Sequence, residues 1–313
     1  KETARQVLVD LASGKFNPSQ MSSFMTVYMM RNITIDELQG FRDAMLELCI
    51  PVQFDAPVMD VCGTGGDGKN TFNISTLSSF VVAAAGQPVA KHGNYGVSSA
   101  CGSSNVLEYF GYKFTNSIDE LKKSLDRANL CFMHAPLFHP AMKNVAPIRK
   151  ELGVKTFFNM LGPMVNPAFP KKQLVGVFSL ELALQYGYLY QDTDKEFVIL
   201  HGLDGYDEIS LTGAFKYFFN RGERIASPND LGLPQLAYTD IAGGESVVDS
   251  AKIFLKILEG HGSAQQNAVV IANAAMALFC ANQNADIIQS VEKATEALRS
   301  GKALEVFNKL LNS

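Results

Sequence analysis

The sequence lacks the features that would assign it to several common classes of protein. Its formal net charge is -4, so it has no general positive charge to attract nucleic acid or an anionic membrane. Its five cysteines form no C-x-x-C pair, which favours reduced thiols over a disulfide framework. No H-E-x-x-H, H-x-x-x-H or G-x-S-x-G motif occurs, so neither a zinc site nor acyl transfer is supported.

Long apolar segments are also scarce. The longest run, 268–281, is interrupted by Asn273 and is shorter than the roughly 20 residues that span a bilayer, so we expect a buried helix there. No secretory signal is recognisable, and we expect a cytoplasmic location. Because the first residue is Lys1 rather than Met, we also expect that a short N-terminal piece precedes it.

The first fifty residues have the spacing of helices rather than strands. Asn17 and Pro18 are suited to the cap and first residue of a helix, and Thr34 with Glu37 forms a capping box for a second one. A stripe at helical spacing follows the first cap and comprises Met21, Phe24, Met25, Tyr28 and Met29. Such a stripe is more typical of a core or a subunit interface than of a cofactor site.

After residue 55, short β-like runs alternate with helical segments, which predicts a parallel α/β sheet. At 313 residues the chain exceeds the usual length of a single domain, so we predict two. The expected division is a helical domain over 1–55 and an α/β domain over 56–313. The amphipathic segment 140–161 is predicted to be helical and to return to the helical domain.

A glycine-rich stretch, GTGGDGKN, follows the first predicted strand and partly fits two known phosphate loops. A P-loop needs Ser or Thr after its lysine, where this sequence has Asn70 after Lys69. A dinucleotide-binding loop needs an acidic residue about 20 positions later, where this sequence has Lys91 and His92. Neither loop type therefore fits fully, but successive glycine amides still predict a concave anion site.

Two further segments strengthen this interpretation. A second loop, KHGNYGVSSACGSSN, supplies a lysine, four serines and glycines before another helix, so two phosphate-binding loops predict one ligand with two phosphate groups. Downstream, Asp207 and Glu208 follow a predicted strand in HGLDGYDEIS. Carboxylates at that place are suited to hold Mg2+ alongside substrate phosphates.

These segments, together with HAPLFHPAMKNVAPIRKELGVKTFFNMLGPMVNP, resemble in order and spacing the signature segments of the anthranilate phosphoribosyltransferase family. The resemblance runs through nearly the whole chain. It implies a helical domain joined to an α/β domain with a mainly parallel sheet, the fold shared with nucleoside phosphorylases of the thymidine type. The implied reaction transfers phosphoribosyl from phosphoribosyl pyrophosphate to the amine of anthranilate and releases pyrophosphate, in tryptophan biosynthesis.

The resemblance also implies site residues. Those expected to bind phosphoribosyl pyrophosphate are Gly63, Gly66, Asp67, Thr71, Asn73, Ile74, Ser75, Thr76, Lys91, His92, Gly93, Asn94, Tyr95, Gly96, Val97, Ser98, Ser99 and Ser103. Gly63, Asn94 and Arg149 are expected at the anthranilate site. Ser75, Asp207 and Glu208 are expected to hold one or two Mg2+. No residue is singled out as a catalytic acid or base, and a homodimer through the helical domain is expected.

Two alternatives stay open from the sequence. A pyrimidine nucleoside phosphorylase of the same fold would use inorganic phosphate and would need no metal for pyrophosphate. A noncatalytic relative that binds nucleic acid would have eroded loops and a basic surface, whereas these loops are intact and the charge is negative. Within the motifs, Tyr95 stands where the family often has Arg, and Asn105, where it often has Asp, is expected to cap a helix.

Overall fold

A computed structural model describes residues 1–96 and 100–312 of the protein. Its α-helices are α1 Glu2–Ala12, α2 Pro18–Met30, α3 Ile35–Glu47, α4 Ile74–Ala84, α5 Ser103–Tyr109, α6 Ile118–Ala128, α7 Ala135–Phe138, α8 Ala146–Leu152, α9 Phe158–Leu161, α10 Leu180–Gln191, α11 Val247–Leu258, α12 Ala264–Ala281, α13 Ile287–Arg299 and α14 Lys302–Leu311. Short 3-10 helices occupy Pro140–Asn144, Gly162–Val165, Pro228–Leu231 and Tyr238–Ile241. The strands are β1 Met59–Gly63, β2 Val89–Gly93, β3 Leu130–His134, β4 Lys172–Gly176, β5 Glu196–Gly202, β6 Phe215–Phe219 and β7 Gly222–Ala226.

The strands form one seven-stranded sheet in the order β3-β2-β1-β4-β5-β6-β7. The first five strands of that order are parallel, and β6 and β7 add an antiparallel hairpin at one edge. The predicted α/β class with a mainly parallel sheet is therefore confirmed. Because the parallel strands point the same way, their carboxyl ends, and the loops that follow them, lie along one edge of the sheet.

The helices at the N-terminus begin where their capping signals predict. Asn17 and Gln20 form a reciprocal capping box at the start of α2, and Thr34 and Glu37 form another at the start of α3. In the apolar stripe of α2, Met21 and Met25 are buried, as predicted for a core stripe. Met29, however, is 45% exposed, so the stripe is only partly covered by the chain itself.

The segment 140–161 is helical only in pieces. Proline near the start of the 3-10 helix and of α8, and a left-handed Gly153 directly after α8, interrupt it. The side chains of Val145, Ile148 and Phe157 share a buried cluster with those of α1, α2 and α3, and Asn144 donates a hydrogen bond to the carbonyl of Ala12. The division into two domains with this returning segment stays a prediction, which that packing favours.

Helix α12 lies in the main core. It is long and apolar enough, by length and composition, to meet the requirement for a membrane span, but 72% of it is buried inside the protein. Its buried side chains pack with those of α4 and of the strands β4 and β5 in one hydrophobic cluster. The expected buried helix over this run is confirmed.

One feature of the sheet, the β6–β7 hairpin, was not predicted. In β7 the first four residues are exposed, so this strand has none of the apolar signal that identified the others.

Candidate active site

A cavity of about 300 Å³ opens at the carboxyl ends of the parallel strands. Its wall is formed by the loops after β1, β2 and β5, and by residues from α8 and α9. We call it the central cavity. Its volume is at the lower end of the range for sites that hold small ligands, roughly 300 to 1,000 Å³.

The central cavity brings together almost all the site residues expected from the sequence. Those that line it are Gly63, Gly66, Asp67, Thr71, Asn73, Ile74, Ser75, Thr76, Lys91, His92, Gly93, Asn94, Tyr95, Gly96, Ser103, Arg149, Asp207 and Glu208. Val97, Ser98 and Ser99 lie outside the described residues. The individual ligand roles stay predictions, but the residues assigned to the donor, the acceptor and the metal face one space.

The glycine loop after β1 is neither of the two familiar phosphate loops. Helix α4 begins at Ile74, five residues after Lys69, whereas a P-loop helix begins directly after its lysine. The Lys69 ammonium lies over the Tyr206 ring, 4.7 Å from its centre. Gly65 and Gly66 have positive φ angles of 63° and 78°, which lets the loop fold back and turn its backbone toward the cavity.

The loop is fastened on its far side by residues 242–244. Thr71 forms an antiparallel bridge with Ala242, and the N–H of Gly243 donates to the carbonyl of Asn70 at 2.7 Å. A side chain at position 243 would collide with the Thr71 carbonyl, because an added Cβ would lie 2.6 Å from that oxygen. Glycine is therefore required at position 243, where residues 242–244 contact the glycine loop.

Asp207 and Glu208 enter the cavity from the loop after β5. Asp207 accepts the Gly65 N–H at 2.6 Å, and Glu208 accepts the Ser75 N–H at 3.2 Å, so both carboxylates contact elements that follow β1. The approach of Asp207 depends on glycine at two strand ends. An added Cβ at Gly63 would lie 2.6 Å from the Asp207 carboxylate, and one at Gly176 would lie 1.6 Å from the Asp207 carbonyl oxygen.

The charges around these carboxylates favour a cation. Burial, followed by the nearby Glu208 and Asp67 carboxylates, raises the pKa of Asp207 well above its usual range. Burial also raises the pKa of Glu208 to about 7, although the Lys91 ammonium and the Ser75 N–H oppose that shift. Crowded carboxylates that resist ionisation are stabilised by a bound cation, which supplies the missing positive charge.

The donor set fits Mg2+ only in company with a substrate. Within residues 1–96 and 100–312, no group of three His, Cys, Asp or Glu side chains is arranged to hold a metal ion. Asp207, Glu208 and the Ser75 side chain nevertheless line the same cavity, and they offer the oxygen atoms that Mg2+ prefers. Since Mg2+ is usually held by one or two carboxylates plus substrate phosphates, these residues fit such a shared site.

Lys91 occupies the floor of the cavity and is deeply buried. Its ammonium donates to the Val61 carbonyl at 2.5 Å, and burial lowers its pKa although the charges of Asp60 and Glu208 oppose that shift. An ammonium has three N–H donors, so the bond to Val61 leaves two for a ligand. Lys91 therefore supplies fixed positive charge beneath the site, and its predicted contact with a phosphate stays a prediction.

The loop after β2 is held by its own polar groups. The Asn94 carbonyl accepts hydrogen bonds from the Ser103 hydroxyl and the Ser104 N–H, and Asn105 accepts the N–H groups of Gly96 and Gly102. Asn105 was expected to be a helix N-cap; it is instead the third residue of α5, and Gly102 is the cap. The correction matters because the Asn105 side chain connects α5 to the loop.

Tyr95 on this loop and His92 near the end of β2 have contrasting surroundings. Tyr95 is partly exposed at the cavity, where its hydroxyl donates to Glu108 at 3.1 Å and its ring meets the edge of His134. His92 is buried, and burial lowers its pKa to about 3, so it is neutral at physiological pH. Its Nδ1 lies 3.3 Å from the Gly162 carbonyl, which fits a neutral ring with Nδ1 as donor.

Arg149 is the cation best suited to receive a carboxylate. It lies on α8 and lines the cavity, and its guanidinium carbon is 5.2 Å from the centre of the Phe158 ring. Its Nη2 donates to the Asn159 side-chain oxygen at 3.4 Å. Burial lowers its pKa below the usual value. In the described part of the chain no carboxylate forms an ion pair with it.

Two residues at or beside the cavity were missed by the sequence interpretation. Lys155 donates from its ammonium to the Gly66 carbonyl and so ties the glycine loop to the segment after α8. Asn159 accepts both the Thr156 N–H and the Arg149 guanidinium. Both lie in the quoted segment HAPLFHPAMKNVAPIRKELGVKTFFNMLGPMVNP, in which only Arg149 was assigned; their polar character beside Phe157 and Phe158 was the available signal.

Two family models match the chain. One, described as the α/β domain of a glycosyl transferase family, covers residues 55–304, and the other, the helical bundle domain of a glycosyl transferase family, covers residues 1–49. Curated proteins named anthranilate phosphoribosyltransferase are similar over nearly the whole length. That of Christiangramia forsetii is 61% identical over 99% of this chain and 93% of its own, and that of Bacteroides thetaiotaomicron is 49% identical over 99% and 94%.

Solved structures agree in fold. The anthranilate phosphoribosyltransferase from Thermus thermophilus superposes with a TM-score of 0.92 and 30% sequence identity, covering 100% of this chain and 95% of that chain. The enzyme of the same name from Saccharomyces cerevisiae, in complex with PRPP and Mg, superposes with a TM-score of 0.91 and 26% identity, covering 99% and 92%. The similarity therefore extends over both the helical and the α/β parts.

Proposed function

The chain belongs to the anthranilate phosphoribosyltransferase family, and from this premise we propose how its own residues transfer phosphoribosyl from phosphoribosyl pyrophosphate to the amine of anthranilate. The observation that carries the proposal is the central cavity, which joins two anion-binding loops, a pair of buried carboxylates and a guanidinium that faces the same space. These are the groups that a donor with pyrophosphate and an acceptor with a carboxylate require.

The donor is assigned to the loops after β1 and β2. Backbone N–H groups of the glycine loop and of the start of α4 are suited to phosphate oxygens, and Lys91 adds positive charge from below. Asp67, in a loop otherwise built for anions, is suited to the ribose hydroxyls. The relative from Saccharomyces cerevisiae bears PRPP and Mg together, which supports a donor that binds with its metal.

Asp207, Glu208 and Ser75 would hold one or two Mg2+ against the donor. When bound, the metal would neutralise negative charge on the pyrophosphate as it leaves. The residues of the chain have the complementary task of orienting the donor. Asp207 is fixed to Gly65 and Glu208 to Ser75, so the carboxylates and the amides that face the pyrophosphate move as one unit.

The acceptor is assigned to the side of the cavity formed by Arg149, Asn94 and Gly63. A guanidinium that is partly withdrawn from water, and that no carboxylate of the described residues neutralises, is suited to bind the anthranilate carboxylate through two parallel hydrogen bonds. Phe158, beneath the guanidinium, provides an apolar wall. The amine would then be held near the anomeric carbon of the donor.

The transfer needs positioning more than a strong base. As pyrophosphate leaves, the anomeric carbon gains positive character, by analogy with glycoside cleavage, and the amine can attack it directly. His92 is buried, and its pKa of about 3 makes its imidazole a weak proton acceptor. Fixed N–H groups and lysines that face the leaving group would stabilise its charge.

We further propose a homodimer through the helical domain in the cytoplasm, with no nucleic acid or membrane as partner. Val27 and Met30 lie one turn apart on α2 and are exposed, the latter at 82%, so a second copy could cover them. Sedimentation of the wild-type protein and of Met30→Lys tests this, since the charged variant should shift the protein toward monomer.

The experiment that tests the proposed reaction compares products. With phosphoribosyl pyrophosphate, anthranilate and Mg2+, the protein should release pyrophosphate and form phosphoribosylanthranilate in equal amounts. The rival of the same fold, a pyrimidine nucleoside phosphorylase, would instead cleave a pyrimidine nucleoside with inorganic phosphate. Cleavage of uridine or thymidine, without consumption of anthranilate, would overturn the proposal.

A further inference from the structure

A single buried amide connects the core helix α12 to the loop that bears Asp207 and Glu208. Asn273 is 1% exposed and lies in the middle of α12, among side chains that are almost all apolar. Its side-chain oxygen accepts the Ile209 N–H at 3.0 Å, and its side-chain nitrogen donates to the Ile209 carbonyl at 2.9 Å. The amide thus pairs with both backbone groups of one residue, as a neighbouring strand would.

Ile209 is the residue immediately after Glu208. Its own side chain is fully buried in the main core, so both the side chain and the backbone of this residue are held. From there the chain runs back through Glu208, bonded to Ser75, to Asp207, bonded to Gly65. The segment that bears the two carboxylates is therefore held on one side by Asn273 of α12 and on the other side by Gly65 and Ser75, which follow β1.

We propose that Asn273 is a positioning residue that sets the Asp207–Glu208 pair for the metal-bound pyrophosphate of the donor. The inference rests on the proposed role of those carboxylates in holding Mg2+. It goes beyond that role because Asn273 lies outside the residues that line the cavity. It acts on the site through Ile209.

A short side-chain amide is well suited to this contact. It needs one acceptor and one donor side by side, and Asn supplies both in a short, stiff side chain. An apolar residue would leave the buried N–H and C=O of Ile209 unsatisfied, and such groups are expensive to bury. The loop would then have to shift toward water, and with it the carboxylates, since Glu208 is its direct neighbour in the chain.

Asn220, an exposed residue between β6 and β7, offers a control at the opposite end of strand β5. Its side chain accepts the Phe197 N–H at 2.9 Å and donates to the Lys195 carbonyl at 2.7 Å, at the start of β5, while Asn273 holds the loop beyond its end. Asn273→Ala, the milder Asn273→Ser and the control Asn220→Ala each remove an amide that pairs with backbone. Only at Asn273 is the paired backbone directly next to Glu208 in the chain; the backbone that Asn220 pairs with lies at the start of β5.

The test measures metal binding rather than turnover. Binding of Mn2+ to the protein in the presence of pyrophosphate is followed by electron paramagnetic resonance. Removing an outer group that orients metal ligands typically costs 10–100-fold in affinity, so we expect the Asn273 variants to bind Mn2+ about tenfold more weakly. The KM for anthranilate should change by less than about twofold, and Asn220→Ala should bind Mn2+ as the wild type does.

Unchanged Mn2+ binding in the Asn273 variants, or equal weakening in Asn220→Ala, would overturn the inference. If neither Asn273 variant folds, hydrogen exchange is measured on the wild-type protein instead. If Asn273 holds the loop, the Ile209 amide should be as protected from exchange as the amides of β5. Rapid exchange of the Ile209 amide would contradict the inference. Asp207→Asn with Glu208→Gln separates the two hypotheses. If this double variant keeps its Mn2+ affinity the proposed metal role fails; if it loses affinity while the Asn273 variants keep theirs, only the present inference fails.

Discussion

The Asp207 carboxylate accepts the backbone N–H of Gly65 at 2.6 Å, which joins the loop after β5 to the glycine loop after β1. These strands are separated in the sheet by β4, and the contact bridges over its end. Gly176, the last residue of β4, leaves the space for that bridge. The glycine loop and the loop that bears Asp207 and Glu208 are thereby joined into one unit.

The first prediction concerns the two carboxylates of that unit. Asp207→Asn with Glu208→Gln keeps the shape of both side chains but removes their charge, so turnover should nearly disappear and donor binding in Mg2+ should weaken. The fold should persist, because neutral amides relieve the crowding of Asp207, Glu208 and Asp67. Steady-state kinetics over a range of Mg2+ concentrations check this, and normal activity in limiting Mg2+ would disprove the assignment.

Lys91 gives a prediction with two parts. Lys91→Met removes the ammonium and leaves the buried Val61 carbonyl without its partner, which should lower the free energy of unfolding by about 1–3 kcal/mol. If the remaining N–H groups also reach a phosphate, the donor affinity should fall by about tenfold to a hundredfold. Denaturant unfolding and calorimetry measure the two effects separately. Unchanged affinity with lowered stability would limit Lys91 to a structural role.

Arg149 should affect the acceptor more than the donor. The anthranilate carboxylate changes little as the anomeric bond breaks, so Arg149→Ala should raise the KM for anthranilate more than it lowers kcat. The loss of a charge-assisted contact predicts an increase of about tenfold to a hundredfold. Arg149→Lys should rescue only in part, since an ammonium lacks the two-pronged geometry.

The control for Arg149 is donor binding measured without anthranilate. It should stay at the wild-type value in both variants, because the guanidinium is assigned to the acceptor side of the cavity. An unchanged KM for anthranilate would contradict the assignment. So would a loss of affinity for phosphoribosyl pyrophosphate as large as the loss for the acceptor.

His139 predicts a pH dependence of stability. Burial lowers its pKa in the folded protein to about 4, against about 6.5 in the unfolded chain. The stabilisation of the folded protein that depends on a neutral His139 is therefore fully present above about pH 6.5. It is lost as the pH falls toward about 4, because the unfolded chain then binds the proton more readily than the folded protein does. At pH 5 the loss amounts to about 2 kcal/mol.

Unfolding of His139→Asn and of the control His261→Asn at pH 5 and pH 7.5 measures that contribution. The first variant should lose less stability on acidification than the wild type. The second removes an exposed imidazole and is the control for loss of a histidine side chain as such. A pH dependence that His139→Asn leaves unaltered would show that this histidine does not carry the effect.

The elements with local signals could be predicted from the sequence. Asn17 with Pro18 predicted the start of α2, and Thr34 with Glu37 predicted the start of α3. The alternation of strands and helices predicted the parallel sheet. The site residues in the quoted motifs also converge on one cavity. These signals are local or lie in short motifs, which is why a single sequence suffices for them.

Features that depend on distant contacts could not be predicted. Asn273 looked only like an interruption in an apolar run, and its meaning comes from Ile209, 64 positions away in the chain. The hydrogen bond of Lys155 to Gly66 spans 89 positions. The space that Gly176 leaves for Asp207 is likewise invisible in the sequence, because nothing nearby marks which glycine faces which loop.

The central claim is that this cavity joins phosphoribosyl pyrophosphate to anthranilate, and the fluorescence of anthranilate tests it most directly. When the wild-type protein is mixed with anthranilate, phosphoribosyl pyrophosphate and Mg2+, the fluorescence of anthranilate should decay. The decay should require the protein, phosphoribosyl pyrophosphate and Mg2+ together. It should be nearly absent in the double variant Asp207→Asn with Glu208→Gln. Fluorescence that persists with the wild-type protein and all components present would contradict the account.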